Sequence, residues 1–149
     1  MPACKRILWL FLLVCGGIFR VAAADLPRSE TPQPQFSRSD WVSLNGAWDF
    51  AFDDTNSGLA GKWQNVPQNS HRTITVPYCF ESKLSGIHET SFHPVAWYWR
   101  SLTIPRGWQG RHILLHFGAV DYRAHVWLNG QFLGAHEGGN VPYSFDITS

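Results

Sequence analysis

The sequence predicts an all-β fold, an antiparallel sandwich or barrel, and three observations carry that prediction. Short runs in which apolar and polar residues alternate recur along the chain. Turn residues, above all the Asn129-Gly130 pair, separate those runs. Beyond the first two dozen residues no stretch carries an apolar stripe at the 3.6-residue spacing of a helix. At 149 residues the chain has room for one domain with a core.

The first 24 residues stand apart. Lys5-Arg6 precedes the apolar run ILWLFLLVCGGIF, and an Ala-x-Ala site follows at Ala22 to Ala24. A basic start, a short apolar centre and a small-residue site are the pattern of a secretory signal peptide. The run falls short of the ~20 residues a spanning helix needs. A buried helix is the alternative. Cys15 raises lipid attachment, but bulky Val14 stands where a small residue is wanted. The expectation is therefore export, to a periplasmic or extracellular space, with no other membrane contact. Cleavage after Ala24 leaves Cys79 alone, so neither an internal disulfide nor a cysteine zinc site is expected. Residues 25–40, rich in Pro, Ser and Gln, form an extended lead-in. The domain proper runs over residues 41–149.

Trp48, Phe50 and Phe52 alternate with Asp49, Ala51 and Asp53, the period of a half-buried strand. A loop carrying Trp63 follows, then a short β-branched strand, TITV, stopped by Pro77. Residues 81–94 have no steady period and are expected to form a long surface loop. AWYWRSLTIP should place Tyr98, Leu102 and Ile104 on one face and Trp97 and Trp99 on the other. RHILLHF alternates Ile113, Leu115 and Phe117 against His112, Leu114 and His116. In AHVWLNGQFLG, Ala124, Val126 and Leu128 share a face, and Asn129-Gly130 turns the chain into a hairpin. Gln131 to Gly134 would form its returning arm. His136 and Glu137 are then expected in a turn that Gly138 and Gly139 permit.

Composition narrows the function. Net charge is +1 with 15% charged residues and no Lys/Arg cluster, which excludes nucleic acid as a main partner. Eight Trp, ten Phe and four Tyr in so weakly charged a chain suit a core and also the stacking of sugar rings. His112 and His116 lie four apart, about 13 Å along a strand, too far to share one zinc at ~2.0–2.1 Å. The serines lack a Gly-x-Ser-x-Gly elbow, so no nucleophilic triad is expected. Cys79, between Tyr78 and Phe80, is expected as a small buried side chain. The paired glycines lack the spacing of a phosphate loop, and no cofactor is expected. Glu81, Glu89, Asp121 and Glu137 are loop carboxylates, none of which the sequence pairs off for glycoside hydrolysis. The WYWR group has two bulky faces. One should be core, the other covered by a loop, a neighbouring domain or a sugar.

Three stretches carry a resemblance. LNGAWDFAFD, then VPYCFESKLSGI, then the run from WYWRSLTIP through VWLNGQFLGAHEGG to PYSFDIT resemble the N-terminal sugar-binding domain of glycoside hydrolase family 2. The resemblance covers residues 41–149, and its GWQGRHILLHFGAVDYRAHVWLNG portion is most similar to the β-glucuronidase branch. It implies a jelly-roll-like, galactose-binding-domain-like sandwich lacking its last strand or strands. It also implies that the catalytic glutamates belong to a TIM barrel reached after an immunoglobulin-like domain. The expectation is a truncated, non-catalytic sugar-binding or scaffold domain, partnered by those domains and by a β-glycoside. Alternatives are a free-standing carbohydrate-binding module and a pure interaction domain. In the galactosidase branch an Asn-Pro ahead of the Tyr strand reaches the substrate pocket; the same offset before Tyr98 falls on His93-Pro94. The resemblance and the aromatic pattern together name His93, Trp97 and Trp99 as candidate sugar contacts, with no catalytic and no metal-binding residue.

Overall fold

The structure, a computed structural model, describes residues 26–30, 39–65 and 71–148. Seven strands run in order: β1 (Gly46–Phe52), β2 (Arg72–Val76), β3 (Ala96–Trp99), β4 (Leu114–Phe117), β5 (Arg123–Leu128), β6 (Gln131–Glu137) and β7 (Tyr143–Asp146). Two single 3₁₀ turns, Lys83–Ser85 and Arg106–Trp108, are the only helical pieces among the described residues. The expected signal segment lies outside the described residues. So does most of the lead-in, although Asn45 donates its side-chain amide to the carbonyls of Pro27 and Arg28.

All strand pairs are antiparallel. β1 is central in a three-stranded sheet, β2-β1-β3, while β4 pairs with β7 and β5 with β6. The all-β expectation therefore holds. In the first sheet Phe50 faces Tyr98 across the ladder and Ala51 faces Trp97. The sheet's two faces follow from this register. One carries Trp48, Phe50, Phe52, Ile74 and Tyr98, and the loop 77–94 covers it, with Phe80 edge-on to Phe52 at 5.2 Å. The other carries Ala51, Trp97 and Trp99, and there Trp63 and Trp127 close over Trp97 at 6.0 and 5.5 Å. The chain itself thus covers Trp97, while Tyr98 is exposed and Trp99 half-buried. Phe50 and Ile74 are wholly buried, each worth about 1.5–3 kcal/mol.

β1 is more enclosed than a half-buried strand. Ala51 and, just past its end, Asp53 are buried as well as Phe50. β3 stops at Trp99, so Leu102 and Ile104 do not extend its face, because the chain turns off before Pro105. The loop 81–94 is less open than expected. Ser85 is fully buried, and its hydroxyl donates to the Ser82 carbonyl at 2.7 Å and accepts from the Ile87 N–H at 3.0 Å. Cys79 corrects the sequence expectation: it is exposed, because the chain has turned out of β2 at Pro77 and directs Phe80 inward instead.

The hairpin is where the sequence placed it. Asn129 (φ 50°) and Gly130 (φ 78°) make the turn between β5 and β6 with two left-handed residues. β6 runs further than expected, however, to Glu137. His136 and Glu137 are therefore strand residues, paired opposite Ala124 and Arg123. The register steps between Val126 and Trp127, leaving Leu133 as the extra residue of a bulge that lets the ribbon continue.

Candidate functional site

Two groups of side chains stand out, one around each face of the first sheet. On the first face, His93 lies flat on the Phe52 ring, 3.5 Å between centroids and 13° between planes. Its side chain is only 13% exposed. Nδ1 donates to the Asp54 carboxylate at 2.7 Å, and Nε2 lies 3.2 Å from the Ser91 hydroxyl. Ser91 in turn donates its hydroxyl proton to Glu89 at 2.7 Å, and Glu89 also accepts the Ser91 N–H at 2.9 Å.

Aspartate, histidine and serine are thus brought into the order of a charge-relay triad, which the sequence did not foretell. The proton directions are wrong for a nucleophile. The hydroxyl's one proton goes to Glu89, so it is not offered to His93 as a triad nucleophile's proton would be. The row of Glu89, Ser91, His93 and Asp54 fastens the loop to the end of β1. The two hydrogen bonds from Ser91 hold the Glu89 carboxyl below the usual range, with a smaller contribution from His93.

On the second face Asp53 is the anchor. Its carboxylate, 2% exposed, accepts the N–H groups of Ser57 and Gly58 at 2.8 Å each and the Trp97 indole N–H at 3.1 Å. Burial pushes its pKa up, but these donors together outweigh it and the net shift is downward. Gly58 is required here by close approach: a Cβ would stand 2.5 Å from the Trp97 indole nitrogen and 2.7 Å from the Asp53 carboxylate. Trp97 stacks between Trp99 (6.0 Å, 16°) and Trp127 (5.5 Å, 25°). The Trp99 indole N–H is committed to the Trp63 carbonyl at 2.6 Å.

Of the three residues singled out by sequence, Trp97 and Trp99 therefore lie together and His93 lies on the opposite face of the same sheet. Trp97 is 8% exposed, which leaves its ring little surface to offer a ligand; Trp99 is half-buried. Sequence reasoning missed Asp53, Asp54 and Ser91 as site residues, and named Glu89 only as one loop carboxylate among four. For Asp53 a local signal existed, since an Asp followed by Ser-Gly four and five residues on can accept both of their N–H groups.

The remaining candidates are dispersed. His112 and His116 are both exposed and flank or occupy β4. Glu137 forms an ion pair with its cross-strand partner Arg123. His136 stacks on Tyr143 at 4.1 Å, and Tyr143 on Phe117 at 4.9 Å, so this histidine belongs to an aromatic column between β6, β7 and β4.

Comparison with known proteins agrees with this arrangement. The beta-glucuronidase of Canis lupus familiaris is 33% identical over 124 residues, covering 77% of this chain and 19% of that protein. The beta-galactosidase of Thermoanaerobacter pseudethanolicus is 31% identical over 113 residues, covering 73% of this chain and 14% of that one. Among solved structures, a Ruminococcus gnavus beta-glucuronidase superposes with a TM-score of 0.65 at 31% identity, over 72% of this chain and 18% of that one. The chain thus spans between 14% and 19% of the length of these relatives. Residues 41–149 match the family described as "Glycosyl hydrolases family 2, sugar binding domain". Because that match takes in every strand described above, this chain belongs to glycoside hydrolase family 2 and carries its sugar-binding domain.

Proposed function

We propose that this chain is the non-catalytic sugar-binding and scaffold part of an exported family 2 enzyme that hydrolyses β-glycosides. Its partners would be a carbohydrate and the immunoglobulin-like and barrel domains that carry catalysis in such an enzyme. β-Glucuronides are the first substrates to test, since several relatives bear the name beta-glucuronidase. The family match over residues 41–149 carries this reading. Export rests on the basic, apolar and Ala-x-Ala pattern of residues 1–24.

The electrostatics favour a non-catalytic role. A glycosidase needs one carboxyl whose pKa is raised so that it can donate a proton at neutral pH. Here the perturbed carboxyls move the other way: Asp53 and Glu89 are both lowered by hydrogen bonds they accept. In this reading His93 and Trp99 contact sugar at the two rims of the first sheet, and Trp97 supports Trp99 from beneath. The test is to incubate the chain with the nitrophenyl β-glucuronide, β-galactoside and β-mannoside. No turnover is expected. Turnover that disappears on Glu81→Gln, Glu89→Gln or Glu137→Gln would overturn the reading.

A further inference from the structure

The row of indoles Trp127, Trp97, Trp99 ends at a groove of about 260 Å³ beside β1 and β3, walled by Asp49, Thr73, Trp99, Arg100 and Ser101. We propose that this groove is a binding subsite for a neutral hexopyranosyl unit, separate from the His93 loop. The proposal rests on the sugar-binding reading above and names where and what that surface takes. The volume lies below the ~300–1,000 Å³ of pockets for drug-sized ligands and suits a single ring.

Three features of the walls fit a sugar. First, the Trp99 indole N–H is already used on Trp63, so what Trp99 brings to the groove is ring surface, the part that stacks on the C–H face of a pyranose. The ring is held in place because Trp97 behind it is fixed by Asp53. Second, one oxygen of the half-exposed Asp49 carboxylate meets His71 at 3.1 Å, and its other oxygen is a hydroxyl acceptor on the groove wall. Third, the Arg100 guanidinium is pinned, donating to the Ala47 carbonyl at 2.7 Å and lying over the Trp48 ring. Its remaining N–H groups are therefore oriented donors at little entropic cost. The hydroxyls of Thr73 and Ser101, both exposed, complete a polar rim.

Charge then selects the sugar. A uronate carboxylate would sit against Asp49, and the Arg100 guanidinium that could offset it keeps its charge but is held over the Trp48 ring by its bond to Ala47. A neutral hexose has only hydroxyls to match, so the groove discriminates against glucuronate.

The experiment is a titration of the full chain with methyl β-galactoside, methyl β-glucoside and glucuronate, followed by indole Nε1–H resonances. The Trp97 resonance reports that each variant is folded. The expected result is saturable binding of a neutral methyl glycoside that moves the Trp99 resonance, with glucuronate weaker by about ten-fold, the scale of a lost charge-assisted hydrogen bond. Asp49→Asn should weaken the neutral sugar by a similar factor. Ser101→Trp, which fills the groove, should abolish binding, and the exposed-loop control Leu84→Ser should leave it unchanged. No saturable binding by the folded chain overturns the proposal, as does tighter binding of glucuronate. Binding that survives Ser101→Trp but is lost in His93→Ala overturns the groove while leaving the sugar-binding role of the domain standing.

Discussion

The two halves of this domain are built from similar strands yet hold together differently. Every buried apolar side chain among the described residues, Phe50, Ala51, Ile74 and Trp97, belongs to the three-stranded sheet β2-β1-β3. The ribbons β4-β7 and β5-β6 contribute none; Leu114 and Phe132 there are 42% and 57% exposed, and Val141 in the loop between β6 and β7 is 53% exposed. The first half has a central strand with a partner on each side and loops over both faces. The second half has two-stranded ribbons, a geometry with little independent stability. Its strands are joined instead by aromatic columns, such as Phe117, Tyr143 and His136, and by the Arg123–Glu137 pair. The lesson is that strand number and coverage, more than strand sequence, decide which half has a core.

The largest effect should come from breaking the anchor of the first half. Asp53→Ala strips the partner from two backbone N–H groups and the Trp97 indole N–H, with the Gly58 and Trp97 bonds buried and the Ser57 bond part-buried. At ~1–3 kcal/mol for each buried group left unsatisfied, a loss of roughly 3–5 kcal/mol is expected in denaturant unfolding, with the Trp97 resonance lost first. A loss under about 1 kcal/mol would mean that the two halves share stability more evenly than their burial implies.

A middle-sized effect should come from the second half. A Cβ on Gly134 would stand 2.6 Å from the Phe145 ring, so Gly134→Ala must displace an aromatic side chain between β6 and β7. Overpacking of this kind costs about 1–3 kcal/mol. Amide exchange should quicken in β4 to β7 while β1 stays protected. Uniform quickening would show that the halves unfold as one.

The smallest effect is alkaline. Burial, with the charge of Glu81 adding to it, pushes the Tyr98 phenol up to about 12 from its ordinary 10. A phenol whose pKa is higher in the folded state stabilises the fold fully below pH 10 and loses that contribution as pH rises towards 12. Tyr98 is 39% exposed, so solvent screening should hold the loss below about 1 kcal/mol. Tyr98→Phe should flatten the pH dependence of the melting temperature in that window.

Much of the fold was legible because its signals are local. Alternation located β1, β3, β4 and β5, β-branched residues located β2 and Pro77 ended it, and Asn129-Gly130 marked the hairpin that leads into β6; β7 was read only as part of the family resemblance. Where the reading slipped, the cause was a neighbour that the local pattern does not contain. β6 extends through His136 and Glu137 because Arg123 and Ala124 lie opposite to pair with them. Cys79 is exposed because the turn after β2 points Phe80, not Cys79, at Phe50.

The candidate site was less legible still. The aromatic pattern singled out Trp97 and Trp99, and the family resemblance singled out His93. They could not show that Asp54, 39 residues before His93, would take its Nδ1 proton, or that Asp53, 44 residues before Trp97, would hold its indole. By itself the sequence determined the alternating strands, the hairpin and the family, because each is written in short runs of adjacent residues. Only the tertiary structure decided which aromatic rings are core and which face a groove. That choice depends on the antiparallel register of β1 with β3 and on the loops that fold back over the sheet, and neither is encoded at a fixed spacing along the chain.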